Sequence, residues 1–281
     1  MLTIQNVDFK YKKKEPLFAG LDLSLNTGTI YGLLGKNGTG KSTLLKLLIG
    51  SVYPQVGQVQ VNGHQSCKRK PSVLRNIYLL QEHFTLPKIS VNDYVKANAG
   101  FYPKFDHSKF YELLSLFEVD SDVDLGSISF GQTKKVEIAF ALSTHVDTLL
   151  MDEPTNGLDI PSKSQFRKAV LRGFRDDQVV IISTHQIRDL NQLIESVIIL
   201  DAGKIIFNQP TSEIETRLQF SQSSTEQNTG EILYSEQMPF GYTNISCSHD
   251  QVPSEVELEV LFNAVLSHPD TLNQAFTQTN S

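Results

Sequence analysis

The run Gly35-Lys36-Asn37-Gly38-Thr39-Gly40-Lys41-Ser42-Thr43 sets glycines, a lysine and hydroxyls at the spacing G-x-x-x-x-G-K-[ST]. Glycines let consecutive backbone N–H groups turn inward around an anion without Cβ clashes. A helix beginning just after them would aim the positive end of its dipole at that anion. Lys41 adds a point charge for the β- and γ-phosphates of a nucleoside triphosphate, and the Ser42 hydroxyl stands where Mg2+ would take an oxygen ligand. A second set of candidates closes the apolar run Thr148-Leu149-Leu150-Met151, where Asp152 and Glu153 precede Pro154. At a strand end facing the phosphates, Asp152 would hold Mg2+ through its hydration shell. Glu153 would orient or deprotonate an attacking water. Phosphoryl transfer asks little covalent chemistry of a protein, so positioning and charge stabilisation are the main tasks.

These groups meet only if strands and helices deliver them to one place. Thr29-Ile30-Tyr31-Gly32-Leu33-Leu34 is continuously apolar up to Gly35, as a fully buried strand would be, and the spacing predicts a helix from about Lys41 to Ile49. Leu2, Ile4 and Val7, then Leu21, Leu23 and Leu25, alternate with polar residues and read as strands, and Gly57 to Gly63 reads as another. After Gln81 the spacing turns helical over Val91 to Phe101, Phe110 to Phe117 and Gly131 to Ser143. Strand signals return at Thr148 to Met151, Val179 to Ser183 and Val197 to Leu200, the last pairing with Lys204 to Phe207 across Asp201-Ala202-Gly203. Strands alternating with helices imply an α/β sheet, with the block between Gln81 and Val146 as a helical insertion. Residues 219–230 read as a polar linker, followed by a strand over Glu231 to Tyr234. A helix is expected from Ser254, where Ser254 and Glu257 fit a capping box and Leu258, Leu261, Phe262 and Val265 form an apolar stripe.

The 281 residues are 40% hydrophobic and 20% charged, ordinary globular values with room for a substantial core. The net charge of −6 weighs against nucleic acid as the main partner. Cys67 and Cys247 lack metal-ligand spacing and read as reduced thiols of a cytosolic protein. The N-terminal MLTIQNVDFKYKKK has no apolar core of a signal peptide, and no run approaches the ~20 apolar residues of a membrane span. A role at a membrane would therefore need another chain to cross it.

Ile128-Ser129-Phe130-Gly131-Gln132 stands just before a predicted helix and ahead of Asp152. Here the chain resembles the ABC ATPase family, whose signature at this place is LSGGQ, and the resemblance covers roughly residues 1 to 210. It implies that Tyr11 stacks on adenine, that Gln81 contacts Mg2+ and the membrane subunits, and that Asn156-Gly157-Leu158-Asp159 is a dimer-contact loop. It likewise implies that His185 touches the γ-phosphate. The catalytic set is then Glu153, His185, Lys41 and Gln81, and the metal set Ser42, Gln81 and Asp152. The ATP set is Tyr11 with Gly35, Lys36, Asn37, Gly38, Thr39, Gly40, Lys41, Ser42 and Thr43. The resemblance further implies that Ser129, Phe130, Gly131 and Gln132 close over ATP held by a partner protomer. Phe130 departs from the usual glycine, Ile128 from leucine, and Lys134-Lys135 from the usual polar-basic pair.

The expected fold is α/β, a P-loop NTPase core with an N-terminal antiparallel β subdomain, an inserted helical subdomain and a small C-terminal α+β extension. An ATPase domain is expected over 1–218, with core 1–81 and 146–210 and insertion 82–145, then a linker (219–230) and the extension (231–281). The resemblance implies an Mg-ATP-hydrolysing subunit that dimerises through a nucleotide sandwich, as homo- or heterodimer, on integral membrane permease subunits. Its place would be cytoplasmic, on the inner face of the cell membrane, with export the expected direction and no nucleic-acid partner. The alternative, a soluble ABC ATPase acting on nucleic acid or the ribosome, meets no sustained heptads and only one cassette.

Overall fold

A computed structural model describes residues 1–12, 14–225, 232–239, 241–248 and 253–277. The chain begins with β1 (Leu2–Phe9), β2 (Phe18–Leu25), β3 (Thr29–Leu34), α1 (Lys41–Leu48), β4 (Val56–Val61), β5 (His64–Gln65), α2 (Pro71–Leu74) and β6 (Ile77–Leu80). Next come α3 (Val91–Asn98), α4 (His107–Leu116), α5 (Phe130–Ser143), β7 (Thr148–Asp152), α6 (Ile160–Gly173) and β8 (Val179–Thr184). The C-terminal third carries β9 (Ser196–Asp201), β10 (Lys204–Pro210), α7 (Thr211–Arg217), β11 (Leu218–Ser223), β12 (Ile232–Met238), β13 (Gly241–Cys247), α8 (Leu258–Ser267) and α9 (Pro269–Thr277).

The main sheet has the order β10-β9-β3-β8-β7-β6, parallel except for β10, which returns antiparallel on β9. Its central strands β3, β7 and β8 are buried almost throughout, which explains their unbroken apolar runs. Successive side chains of a strand point to opposite faces, so the sheet separates two cores. Tyr31, Leu33, Leu150 and Ile181 face α1 and the antiparallel sheet β2-β1-β4-β5. Ile30, Leu34, Leu149, Met151 and Ile182 face the helices, including α3, α4 and α5 of the expected insertion.

The C-terminal region departs from expectation. Gln219 to Ser223 belong to β11, not to a linker, and β11 pairs antiparallel with β13 in a sheet of order β11-β13-β12. Residues 226–230 of the expected linker lie outside the described residues. The strand expected from Glu231 begins at Ile232 among the described residues and runs on to Met238. The helix starts at Leu258, not Ser254; the Ser254 hydroxyl accepts the Phe220 N–H (3.1 Å) instead of capping it. The composition of 219–223 is polar because this strand lies on a small, half-exposed sheet, where alternation is weak. Leu258, Leu261, Ala264 and Val265 of α8 join the core that contains Ile187, Leu190, Val197 and Phe207. Asn273 of α9 donates to the Ile206 carbonyl of edge strand β10 at 2.9 Å, which blunts that edge.

Candidate nucleotide site

Parallel register brings the candidate residues together. Leu34 pairs with Thr184, Asp152 with Ser183, and Leu80 with Met151. The residues that follow these strands therefore emerge at one edge of the sheet: Gly35, Glu153, His185, and Gln81 with Glu82. In open α/β sheets this carboxyl edge is where ligands bind.

The loop after β3 turns at Gly40, the N-cap of α1, with φ 111°. A Cβ there would lie 2.8 Å from the Phe18 ring, so only glycine fits both the dihedral and the space. The Lys41 ammonium donates to the carbonyls of Gly35 (2.6 Å) and Lys36 (3.2 Å) and lies 3.9 Å from Glu153 Oε1. Burial pulls Lys41 below the usual lysine range, against the opposing pull of Glu153, Asp152 and Glu82. Thr39 Oγ1 donates to the Lys36 carbonyl at 2.9 Å, tying the loop to itself.

Glu153 carries a positive φ of 46°, uncommon for a residue with a side chain, and is 5% exposed. Its N–H donates to the Ser183 carbonyl at 3.0 Å. Its Oε1 accepts the His185 N–H (3.0 Å) and lies 2.7 Å from His185 Nδ1, while Oε2 accepts the Thr184 hydroxyl at 2.9 Å. The side chain is thereby fixed by the end of the neighbouring strand, and His185 meets Glu153 directly. Ser183 Oγ donates to Asp152 Oδ1.

A cleft of about 970 Å³ opens over this edge. Asn37, Gly38, Gly40, Lys41, Ser42 and Thr43 form its floor, with Glu153, His185, Asn156 and Glu82 on one wall and Tyr11 with residues 14–17 on the other. The Tyr11 hydroxyl lies 3.1 Å from Thr43 Oγ1, and its ring meets Phe9 edge-on at 4.9 Å. Such a cleft suits an aromatic base at Tyr11 and a polyphosphate running to Lys41. Ser42 and Asp152 are hard oxygen donors of the kind Mg2+ takes. Among the described residues no group of three or more His, Cys, Asp or Glu is arranged to hold a metal ion, so an ion here would draw its other ligands from phosphate and water.

Gln81 follows β6 but does not line the cleft. Its side chain is exposed and outside the cleft wall, and its backbone carbonyl accepts from Lys134 Nζ at 3.3 Å. The adjacent Glu82 lines the cleft in its stead and accepts from Asn156 Nδ2 at 2.8 Å. An acid two residues beyond a strand of the phosphate-facing edge was the signal for Glu82 in the sequence.

Ser129 to Gln132 stand apart from the chain's own cleft. Ser129 Oγ accepts the Gln132 N–H (3.2 Å) and Gln132 Oε1 accepts the Ser129 N–H (3.1 Å), a reciprocal cap at the head of α5. Ser129, Phe130 and Gln132 are exposed. The Ser129 hydroxyl proton remains available, and the α5 N-terminus offers its dipole outward. Asp159 caps α6, accepting the Ser162 N–H at 2.9 Å, and hydrogen bonds from Ser162 hold its carboxyl below the usual range.

Residues 18–156 match the family model described as ABC transporter. The chain is 29% identical over 205 residues to the bacitracin transport ATP-binding protein BcrA of Bacillus licheniformis, covering 70% of this chain and 66% of that protein. It is 27% identical over 224 residues to the daunorubicin resistance ATP-binding protein DrrA3 of Streptomyces coeruleorubidus, covering 76% of this chain and 69% of the other. The chain thus spans about two thirds of the length of these relatives. Among solved structures, a dimeric post-hydrolysis state of the ATP-binding cassette MJ0796 with ADP and phosphate superposes with a TM-score of 0.66 at 22% identity, covering 75% of this chain and 98% of that one. Similarity extends to proteins named for import, such as a phosphonates import ATP-binding protein of Alcaligenes faecalis.

Proposed function

We propose, for a chain that carries the ABC transporter ATPase domain, that it hydrolyses Mg-ATP in a nucleotide-sandwich dimer and drives export through separate membrane subunits. The observation that carries the dimer is the exposed, capped head of α5, whose Ser129 and Gly131 turn away from their own cleft. An outward helix N-terminus with an uncommitted hydroxyl proton fits a phosphate delivered by another copy.

In each cleft the loop amides and Lys41 hold the β- and γ-phosphates, and Tyr11 packs on the base. Mg2+, held by Ser42 and Asp152, would neutralise charge developing on the phosphate oxygens. Glu153, its carboxylate fixed by Thr184 and His185, takes the proton of the attacking water. His185, at 2.7 Å from that carboxylate, ties base position to the γ-phosphate it faces. Ser129 and Gly131 of the partner complete the site, so hydrolysis removes the contact that holds the dimer.

Among the described residues no helix is long and apolar enough to cross a membrane, which fits a subunit that works on other chains. The relatives named for bacitracin transport and daunorubicin resistance support export; the reading places the chain at the inner face of the cell membrane. Mixing Lys41→Ala with Ser129→Ala protomers tests the composite site. Each mixed dimer keeps one intact site, so phosphate release is restored above that of either variant alone. No restoration in the mixture overturns action across the interface.

A further inference from the structure

Lys134 lies in the second turn of α5 and is fully buried, 0% exposed. Burying an ammonium is costly, and its described hydrogen bonds go to backbone carbonyls rather than to a carboxylate. Its Nζ donates to the carbonyl of Glu82 at 3.1 Å and of Gln81 at 3.3 Å. It also sits 5.3 Å from the centre of the Phe84 ring, in reach of a cation–π contact. Phe84 in turn stacks on Phe130, with ring centres 6.0 Å apart and planes 28° from parallel. On its other side Phe130 touches the loop after β7: a Cβ on Gly157 would lie 3.0 Å from the Phe130 ring, and Gly157 has φ 82°. The neighbouring Asn156 donates to Glu82, which closes the circuit at the cleft wall.

Two departures from the family pattern, Phe130 and Lys134, thus meet at a single ring, that of Phe84. The bulk of Phe130 is accommodated sideways, against Phe84 and Gly157, leaving the Ser129 hydroxyl and the Gly131 N–H at the open end of α5.

We propose that Lys134, acting through Phe84 and Phe130, is a positioning residue that fastens the partner-facing turn of each protomer to the wall of its own nucleotide cleft. A nucleotide that sets Glu82 and Asn156 in one protomer then sets the turn that protomer offers to its neighbour. The inference rests on the reading of Ser129 as a contact to the partner's ATP.

The test is ATP-driven dimerisation of the full chain carrying Glu153→Gln, followed by size-exclusion chromatography over a range of ATP. Adding Lys134→Met keeps the side-chain length and removes the donor; it raises the ATP concentration for half-dimerisation about tenfold. Binding of a fluorescent ATP analogue to the dilute monomer stays within about twofold of the parent. Phe84→Ala, a change at a half-exposed side chain, shifts the midpoint in the same direction by about threefold. Lys134→Gln, which keeps an N–H donor, falls between parent and Lys134→Met. If the Glu153→Gln parent stays monomeric at saturating ATP, the dimer reading itself fails. If the parent dimerises and either Lys134→Met or Phe84→Ala keeps its midpoint, the joint is overturned while the dimer stands. A midpoint shift matched by an equal loss of monomer binding also overturns it, because Lys134 then serves the cleft alone.

Discussion

Replacing Glu153 by Gln isolates the charge of the proposed base from its geometry. The carboxylate accepts from the His185 N–H at 3.0 Å and from Thr184 Oγ1 at 2.9 Å, and its Oε1 lies 2.7 Å from His185 Nδ1. A glutamine can present its oxygen to His185 and its amide to Thr184, whose hydroxyl rotates to accept. Each bond then drops from the charge-assisted to the neutral class, about 1 kcal/mol apiece, partly offset because no charge needs desolvation. The fold should survive. What vanishes is the basic oxygen, and loss of a general base costs ~10²-fold or more in rate, about 2.7 kcal/mol at about 1.36 kcal/mol per decade. ATP affinity should hold or rise, because one anionic group facing a polyphosphate has gone, while Lys41 keeps its carbonyl partners at Gly35 and Lys36. The assay is phosphate release at saturating Mg-ATP beside equilibrium ATP binding on the same preparation. A variant that turns over within about threefold of wild type would refute the assignment, since a lost base cannot leave so small a trace.

Two further outcomes concern the buried parts of the chain. Burial pulls Lys134 down to about 8, so between that pH and about 10.4 the unfolded chain binds more protons there than the folded one. Stability of this site therefore rises with pH across that window, by at most about 1.4 kcal/mol per unit, and the burial cost is present in full below it. Urea midpoints at pH 7.5 and 9.5 should show a wide gap between wild type and Lys134→Met at the lower pH and a narrower one at the higher; a gap independent of pH rejects a buried charge. Leu261→Ala in α8 removes a fully buried side chain and should cost about 2–5 kcal/mol. Because Leu261 shares a core with Ile187 and Phe207, calorimetry should show one lowered transition; an early separate melting step would mean the extension folds independently.

Features contiguous in the chain were legible from residue order. The loop at Gly35 to Thr43 is made by groups a few residues apart, so spacing alone carries it. Asp152 and Glu153 at the end of an apolar run were readable for the same reason, as were the strands of the main sheet and helices α1, α3, α4 and α5, whereas α6 was not foreseen. That Glu82 rather than Gln81 lines the cleft was not readable, because whether a side chain faces a cleft depends on how β6 sets against β7 and on Lys134 holding the carbonyls behind it. The expected linker and the helix start at Ser254 failed where polar composition hid a strand and where Ser254 met Phe220 across the fold.

The sequence by itself determined which residues could grip a triphosphate, because anion loops, caps and buried strands are local in the chain. Only the tertiary structure decided how Phe130 is turned, which wall Glu82 joins and what α8 covers. Glu82 and Asn156 are 74 residues apart, and their hydrogen bond exists only once parallel strands have fixed register. Such contacts depend on packing between distant segments, which no local spacing encodes.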